Sequence, residues 1–306
     1  MSSATAALPE LTVQGDVVEQ VELMEDCTPL LDDPEAMRQH MQEKGYVFLP
    51  GYLGRDSVTA ARRVFIDALE KAGVLVPGHD PMDGVIKPGV APPLVGGRLE
   101  TTFENWQAIH DVLYTGPMIT FFERFFDEPV RHYDFTWTRQ VGPGLATPLH
   151  SDVVYMGRGT HELYTAWTPM GDNGFDLGGL IVLEGSNNHQ GLAKSYFKQD
   201  VDAFCENKPD ARAWGKSWVT GGWLKGTANQ MRRSLGAPRW VTGNYKMGDV
   251  VLFSVYAVHG GTDNRSDRVR LSTDTRYQRA SAPADDRWIG AAPTGHGAKS
   301  RRGLIC

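Results

Sequence analysis

The sequence predicts an α+β chain in which helices come first and a β-sandwich or barrel follows. Two observations carry this. Apolar residues recur at three- and four-residue intervals up to about Phe126, whereas from Val130 onward the apolar text is cut into short β-branched and aromatic runs separated by turn-forming clusters. A composition of 34 Gly and 18 Pro supplies the many turns that such a strand-rich half needs.

The elements follow in order. From about Asp33, DPEAMRQHMQEKG reads as a helix that stops at Gly45. A short strand, Tyr46–Leu49, comes next, closed by a Pro50-Gly51 turn. Val58, Ala61, Val64, Phe65 and Leu69 mark the buried stripe of a second helix. Residues 74–99, rich in Pro and Gly, form an irregular excursion. A further helix spans Asn105 to Phe126 with one Gly-Pro interruption. The run VRHYDFTWTRQV then predicts a strand from Val130 that breaks at Gly142-Pro143-Gly144. Later strands are expected at Leu163–Thr168, Leu180–Leu183, Val250–Val258 and Val269–Arg276, interrupted by a mostly helical stretch over residues 193–236. Residues 1–33 read as a loosely ordered lead-in.

Bulk properties exclude several classes. A net charge of −6 gives no basic surface for nucleic acid. No run approaches the length of a membrane helix, and the opening MSSATAALPELTVQGD lacks the basic start and apolar core of a signal peptide. A cytoplasmic location is the default expectation. Cys27, Cys205 and Cys306 show no CxxC spacing, so neither a disulfide framework nor a thiolate zinc site is expected.

The chemistry concentrates in four residues. His150-Ser151-Asp152 follows the Gly-Pro-Gly turn, and on a strand residues i and i+2 share a face, so the imidazole and the carboxylate can reach one ion. That donor pair suits Fe(II), Mn(II) or Zn(II). A third ligand is available in His259, at the end of the apolar run VVLFSVYAV. Eleven residues later comes Arg270, whose burial in an apolar barrel would be costly without a carboxylate partner. A dicarboxylate co-substrate would supply one through a bidentate pairing. Two imidazoles and one carboxylate leave three positions of an octahedral metal for a chelating 2-oxo acid and O2. A second His-x-Asp, His132-Tyr133-Asp134, lies inside a predicted strand. The first is preferred because it directly follows the strand-breaking turn.

These residues resemble the phytanoyl-CoA dioxygenase-like family of 2-oxoglutarate oxygenases. The resemblance rests on KGYVFLPGYL, PLHSD, TAWTPMGD, GGLIVLEGSNNH, GDVVLFSVYAVHGGTDNRSDRVRLSTDTRYQ and the tail DDRWIG, which run from about residue 35 to 290. It implies a double-stranded β-helix, a jelly-roll barrel with helices packed on its larger sheet. It implies Fe(II) at His150, Asp152 and His259, and 2-oxoglutarate at Arg270, with Thr147 and Ser272 as further contacts to the co-substrate. With Asp152 present, hydroxylation of a C–H bond with release of succinate and CO2 is the leading reaction; desaturation, ring formation and epoxidation stay open.

The partner expected is a small-molecule substrate, with no nucleic acid and no membrane. Trp137, Arg139 and Tyr155 are the candidate walls of its pocket. The segment 213–240, rich in Trp, Lys and Arg, is either a lid over the barrel mouth or a peripheral helix. The domain plan is an extension over 1–33, one oxygenase domain over 34–295 with insertions near 74–100 and 190–245, and a tail over 296–306. Two rivals remain: a cupin-type metalloenzyme without a 2-oxo acid, and a non-catalytic jelly-roll binding protein.

Overall fold

The computed structural model describes residues 8–92, 95–207 and 222–305. Its strands are β1 (Thr12–Val13), β2 (Asp16–Val17), β3 (Val21–Leu23), β4 (Tyr46–Leu49), β5 (Val95–Gly97), β6 (Val130–His132), β7 (Thr136–Val141), β8 (Leu163–Pro169), β9 (Leu180–Leu183), β10 (Ala203–Cys205), β11 (Trp240–Thr242), β12 (Val250–Ser254), β13 (His259–Gly261), β14 (Arg270–Arg279) and β15 (Arg302–Leu304). The helices are α1 (Pro34–Lys44), α2 (Arg55–Lys71), α3 (Leu99–Thr102), α4 (Gln107–Tyr114), α5 (Gly116–Phe126), α6 (Val153–Met156), α7 (Gln190–Lys194) and α8 (Ala228–Ser234). None of the described helices is long and apolar enough to cross a membrane.

Local chemistry sets the early helices. Asp33 caps α1 by accepting from the Ala36 amide at 3.0 Å, Pro34 occupies its first turn, and Gly45 ends it in the left-handed conformation at φ 84°. The five apolar residues expected to form the stripe of α2 are all buried. The Gly-Pro interruption is a full break: Thr115 is extended, α4 stops, and α5 restarts with Pro117 in its first turn.

Two sheets face each other. The larger has the order β4-β12-β8-β14-β7-β5, with β6 also paired to β14; the smaller has the order β13-β9-β11-β3. Period-two alternation separates two layers. Val250 and Leu252 of β12 join the cluster formed with α1, α2, α4 and α5, while Val251 and Phe253 pack between the sheets against Trp167, Val182, Val241 and Tyr245. On β14 the helix side holds Leu271 and Tyr277. Its other face carries Arg270, Ser272, Asp274 and Arg276, all buried. A polar row of this kind inside a barrel marks where the site lies. Helices on the larger sheet of a two-sheet barrel are the double-stranded β-helix arrangement.

Several expectations need correction. Residues 8–33 are not a loose lead-in: Leu11 and Val13 are buried, and β3 runs parallel to β11 as a strand of the smaller sheet. The strand expected over 130–141 is broken between β6 and β7, where the Tyr133 and Asp134 amides turn to the carbonyls of Arg276 and Trp288. The strand expected over Val250–Val258 ends at Ser254, and a turn closed by the Ala257 amide on the Ser254 carbonyl makes His259 the first residue of β13. Among the described residues of the 193–236 stretch only the end of α7, a 3-10 turn over Tyr196–Lys198 and α8 are helical, and the insertion placed at 190–245 contains β11, a strand with neighbours on both sides. The tail is also integrated, since β15 pairs with β10. On that strand Cys205 is disulfide-bonded, a link invisible in cysteine spacing.

Candidate metal centre

The two histidines meet because their backbones do. The His150 amide donates to the His259 carbonyl and the His259 amide to the His150 carbonyl, both at 2.9 Å, forming an antiparallel bridge at the edge of the smaller sheet. Beyond the bridge the chain leaves the extended conformation. Asp152 has φ −65° and ψ −26° and precedes α6, its carbonyl accepting from the Tyr155 and Met156 amides. The His-x-Asp pair therefore converges through a strand-to-helix turn, not through strand alternation. Ser151 is drawn off to the other side, its amide to the Tyr196 hydroxyl and its own hydroxyl to the Tyr256 carbonyl.

Both imidazoles are fixed in one tautomer. His150 Nδ1 faces the Pro148 carbonyl at 2.8 Å and His259 Nδ1 faces the Ala257 carbonyl at 3.0 Å. A carbonyl only accepts, so each Nδ1 carries the proton and each Nε2 keeps a free lone pair. Those two Nε2 atoms lie 3.7 and 3.8 Å from Oδ1 of Asp152. All three side chains are buried, and their ligand atoms lie within 4.8 Å of one another. Burial, then the adjacent His259 ring, pushes His150 down to about 3, and burial lowers His259 too, so both rings are neutral donors. Burial alone would raise Asp152. Burial is the largest single influence, but the Arg276 guanidinium, the two rings and the Thr165 hydroxyl together outweigh it and hold the carboxylate well below its usual range. Two neutral imidazole nitrogens and a carboxylate oxygen form a donor set that fits ferrous iron.

Two spaces that share Arg139, Thr147 and His150 as walls adjoin this group. A small inner chamber of about 20 Å³ is bounded by His150, His259, Thr147, Arg139 and Arg270 among others. Arg270 is 3% exposed, and among the described residues its guanidinium has one hydrogen bond, Nη1 to the Thr262 carbonyl at 3.2 Å. Its Nε is buried without a partner, and no described carboxylate pairs with it. Burial, then the nearby Arg139 guanidinium, pushes Arg270 down to about 10, still protonated at neutral pH. Gly261 makes room for it: a Cβ there would stand 3.1 Å from Nη2 of Arg270. An unpaired, caged guanidinium fits the far carboxylate of a diacid. The outer cavity, about 560 Å³, is lined by Trp137, Arg139 and Tyr155, and by Thr147, His150 and Asp152.

Of the expected contacts, Ser272 is the one that lines neither space. Its hydroxyl is buried without a partner on the same face as Arg270. Sequence reasoning missed Thr165 and Arg276, which bind the other Asp152 oxygen at 2.6 and 2.8 Å. Arg276 could have been found as the third residue after Arg270 on the inward face of the same strand. It also missed Gln14 and His296 in the cavity wall, contributed by the lead-in and the tail. Of the segment 213–240, residues 213–221 lie outside the described residues; Trp223 lines the cavity mouth, while Trp240 is a core residue of β11. The other His-x-Asp is dispersed: His132 Nδ1 bonds the Tyr133 carbonyl, and Asp134 accepts from the Gly290 amide.

Known proteins share this pattern. The phytanoyl-CoA dioxygenase (PhyH) family model matches residues 41–272. The 1-deoxypentalenic acid 11-beta-hydroxylase of Streptomyces arenae is 29% identical over 282 residues, covering 84% of this chain and 85% of that protein. Its namesake from Streptomyces exfoliatus is 29% identical over 280 residues, with the same coverage. Among solved structures, the non-heme alpha ketoglutarate dependent carbocyclase SnoK from nogalamycin biosynthesis superposes with a TM-score of 0.56 at 19% identity, covering 86% of this chain and 93% of that one. At that identity the likeness is one of fold. The family match spans well over half of the chain, which therefore belongs to the phytanoyl-CoA dioxygenase family and is a non-haem iron, 2-oxoglutarate-dependent dioxygenase.

Proposed function

We propose that this enzyme hydroxylates an unactivated C–H bond of a small, largely apolar metabolite, with His150, Asp152 and His259 holding the iron and Arg270 holding 2-oxoglutarate. The observation that carries the assignment is the alignment of three features: a buried His-Asp-His group, a caged guanidinium behind it, and a roomy aromatic cavity in front.

The residues divide the work. Nε2 of His150, Nε2 of His259 and Oδ1 of Asp152 would hold Fe(II), their orientation fixed by the Pro148 and Ala257 carbonyls and by Arg276. Bound ferrous iron with 2-oxoglutarate supplies the oxidation, in which O2 gives one oxygen atom to the substrate and one to succinate as CO2 is released. Arg270, with Thr147 beside it, receives the far carboxylate of the co-substrate in the small chamber beside His150 and His259. Trp137, Tyr155 and Trp223 offer flat apolar surfaces to the substrate, and Arg139 adds one charged group. The site of action inferred for it is the cytosol.

The test is 2-oxoglutarate consumption and succinate release by the purified chain with Fe(II) under air, screened against small metabolites. The two named relatives act on 1-deoxypentalenic acid, so that acid heads the screen. Succinate release should require Fe(II) and collapse in Arg270→Ala. Release that ignores either one would sink the reading.

A further inference from the structure

One carboxylate oxygen of Asp152 is held by two hydrogen bonds. Oδ1 points at the two Nε2 atoms, while Oδ2 accepts from Arg276 Nη2 at 2.8 Å and from Thr165 Oγ1 at 2.6 Å. Arg276 and Asp152 are each 1% exposed, so this charge-assisted bond operates out of water. The guanidinium is itself immobilised. Its Nη1 donates to the Asp274 carbonyl at 3.2 Å, and its carbon lies 4.1 Å from the centroid of the Trp137 ring. Trp137 is in turn wedged against Trp288 and Phe135, with centroids 4.6 Å away in both cases. Such bracing is more than charge neutralisation requires. A lysine-like point charge would balance Asp152, but only a planar, stacked guanidinium fixes which oxygen it takes.

We propose that Arg276 is a positioning residue that occupies Oδ2 and so makes Asp152 a one-oxygen ligand. A carboxylate free to rotate can offer both oxygens to a metal and take up a position that the 2-oxo acid or O2 needs. Arg276 and Thr165 remove that option before the metal arrives. Because Trp137 also lines the substrate cavity, the same brace joins the cavity wall to the metal carboxylate. The inference rests on the proposed role of Asp152 as an iron ligand.

The experiment compares the full-length wild type with Arg276→Met, Arg276→Lys and Thr165→Val. Two readouts avoid turnover: anaerobic titration with Fe(II), and the visible charge-transfer band that forms when 2-oxoglutarate is added. Loss of an outer partner of a metal ligand typically costs about 10–100-fold in metal affinity. Arg276→Met should fall in that range and move the band. Arg276→Lys should recover part of the affinity without restoring the band position. A guanidinium serving only to balance charge predicts full rescue by lysine on both readouts, which would overturn the proposal. So would wild-type affinity and band in Arg276→Met. If that variant does not fold, Thr165→Val decides, since it frees Oδ2 from one partner and keeps the guanidinium: a weaker Fe(II) titration with a moved band supports the proposal, and no change overturns it. Failure of the underlying assignment looks different, because the wild type itself would then give no Fe(II)-dependent band, and both would fall together.

Discussion

Two His-x-Asp segments lie eighteen residues apart in this chain, alike in spacing and opposite in fate. His150 sits opposite His259 on a neighbouring strand, so a second imidazole arrives with the backbone pairing. His132 sits opposite Tyr277 on β14, and its ring packs on Tyr114 with centroids 4.2 Å apart. Asp152 turns inward at the start of a short helix, where Arg276 and Thr165 meet it. Asp134 turns outward and caps the Gly290 amide at 2.6 Å. What makes a ligand pair is thus the cross-strand neighbour and the turn that follows. Spacing alone carries neither.

The comparison can be broken most directly at the third proposed ligand. His259→Ala should abolish Fe(II) binding and the 2-oxoglutarate-dependent band, while His132→Ala keeps both; iron content after anaerobic loading and desalting measures this. The reverse pattern would transfer the site to the other segment. Next in size is Arg270→Ala, which should weaken 2-oxoglutarate by about 2 kcal/mol or more, the usual cost of truncating one side of a buried charge pair. Titration of the band should show that loss with Fe(II) affinity retained. An Fe(II) affinity that falls equally would mean Arg270 supports the metal and not the diacid.

Linkage sharpens the contrast further. Fe(II) at ~100 times its Kd should stabilise the wild type and His132→Ala alike by about 2.7 kcal/mol, and His259→Ala not at all. Anaerobic thermal melts with and without metal report this, and chelation should return the first two to their metal-free midpoints. The smallest effect belongs to His132→Ala itself. Losing the ring contact with Tyr114 should cost about 1 kcal/mol of stability. A much larger loss, or any loss of metal-linked stabilisation, would show that the second segment does more than pack.

Much of this architecture was legible beforehand. The α1 boundaries followed from Asp33, Pro34 and Gly45, and the α2 stripe from its apolar spacing, because capping and amphipathicity act within a few residues. The three residues proposed as ligands and Arg270 were legible as a set because their order and the strands around them restrict where they can meet. Other parts were not. The break at Tyr133–Phe135 depends on carbonyls of Arg276 and Trp288, more than 140 residues away. The lead-in became ordered because β11 offers a free edge to β3, which no local pattern announces.

The sequence by itself determined the caps of α1, the buried stripe of α2 and the residue types available as metal and diacid partners, since these follow from residue type and short-range periodicity. Only the tertiary structure decided which His-x-Asp faces a second imidazole, which Asp152 oxygen remains free, and that Gln14 and His296 from opposite ends of the chain share one cavity wall. Those outcomes depend on strand pairing between residues distant in the chain, where a one-residue change in register would turn each inward side chain to the other face.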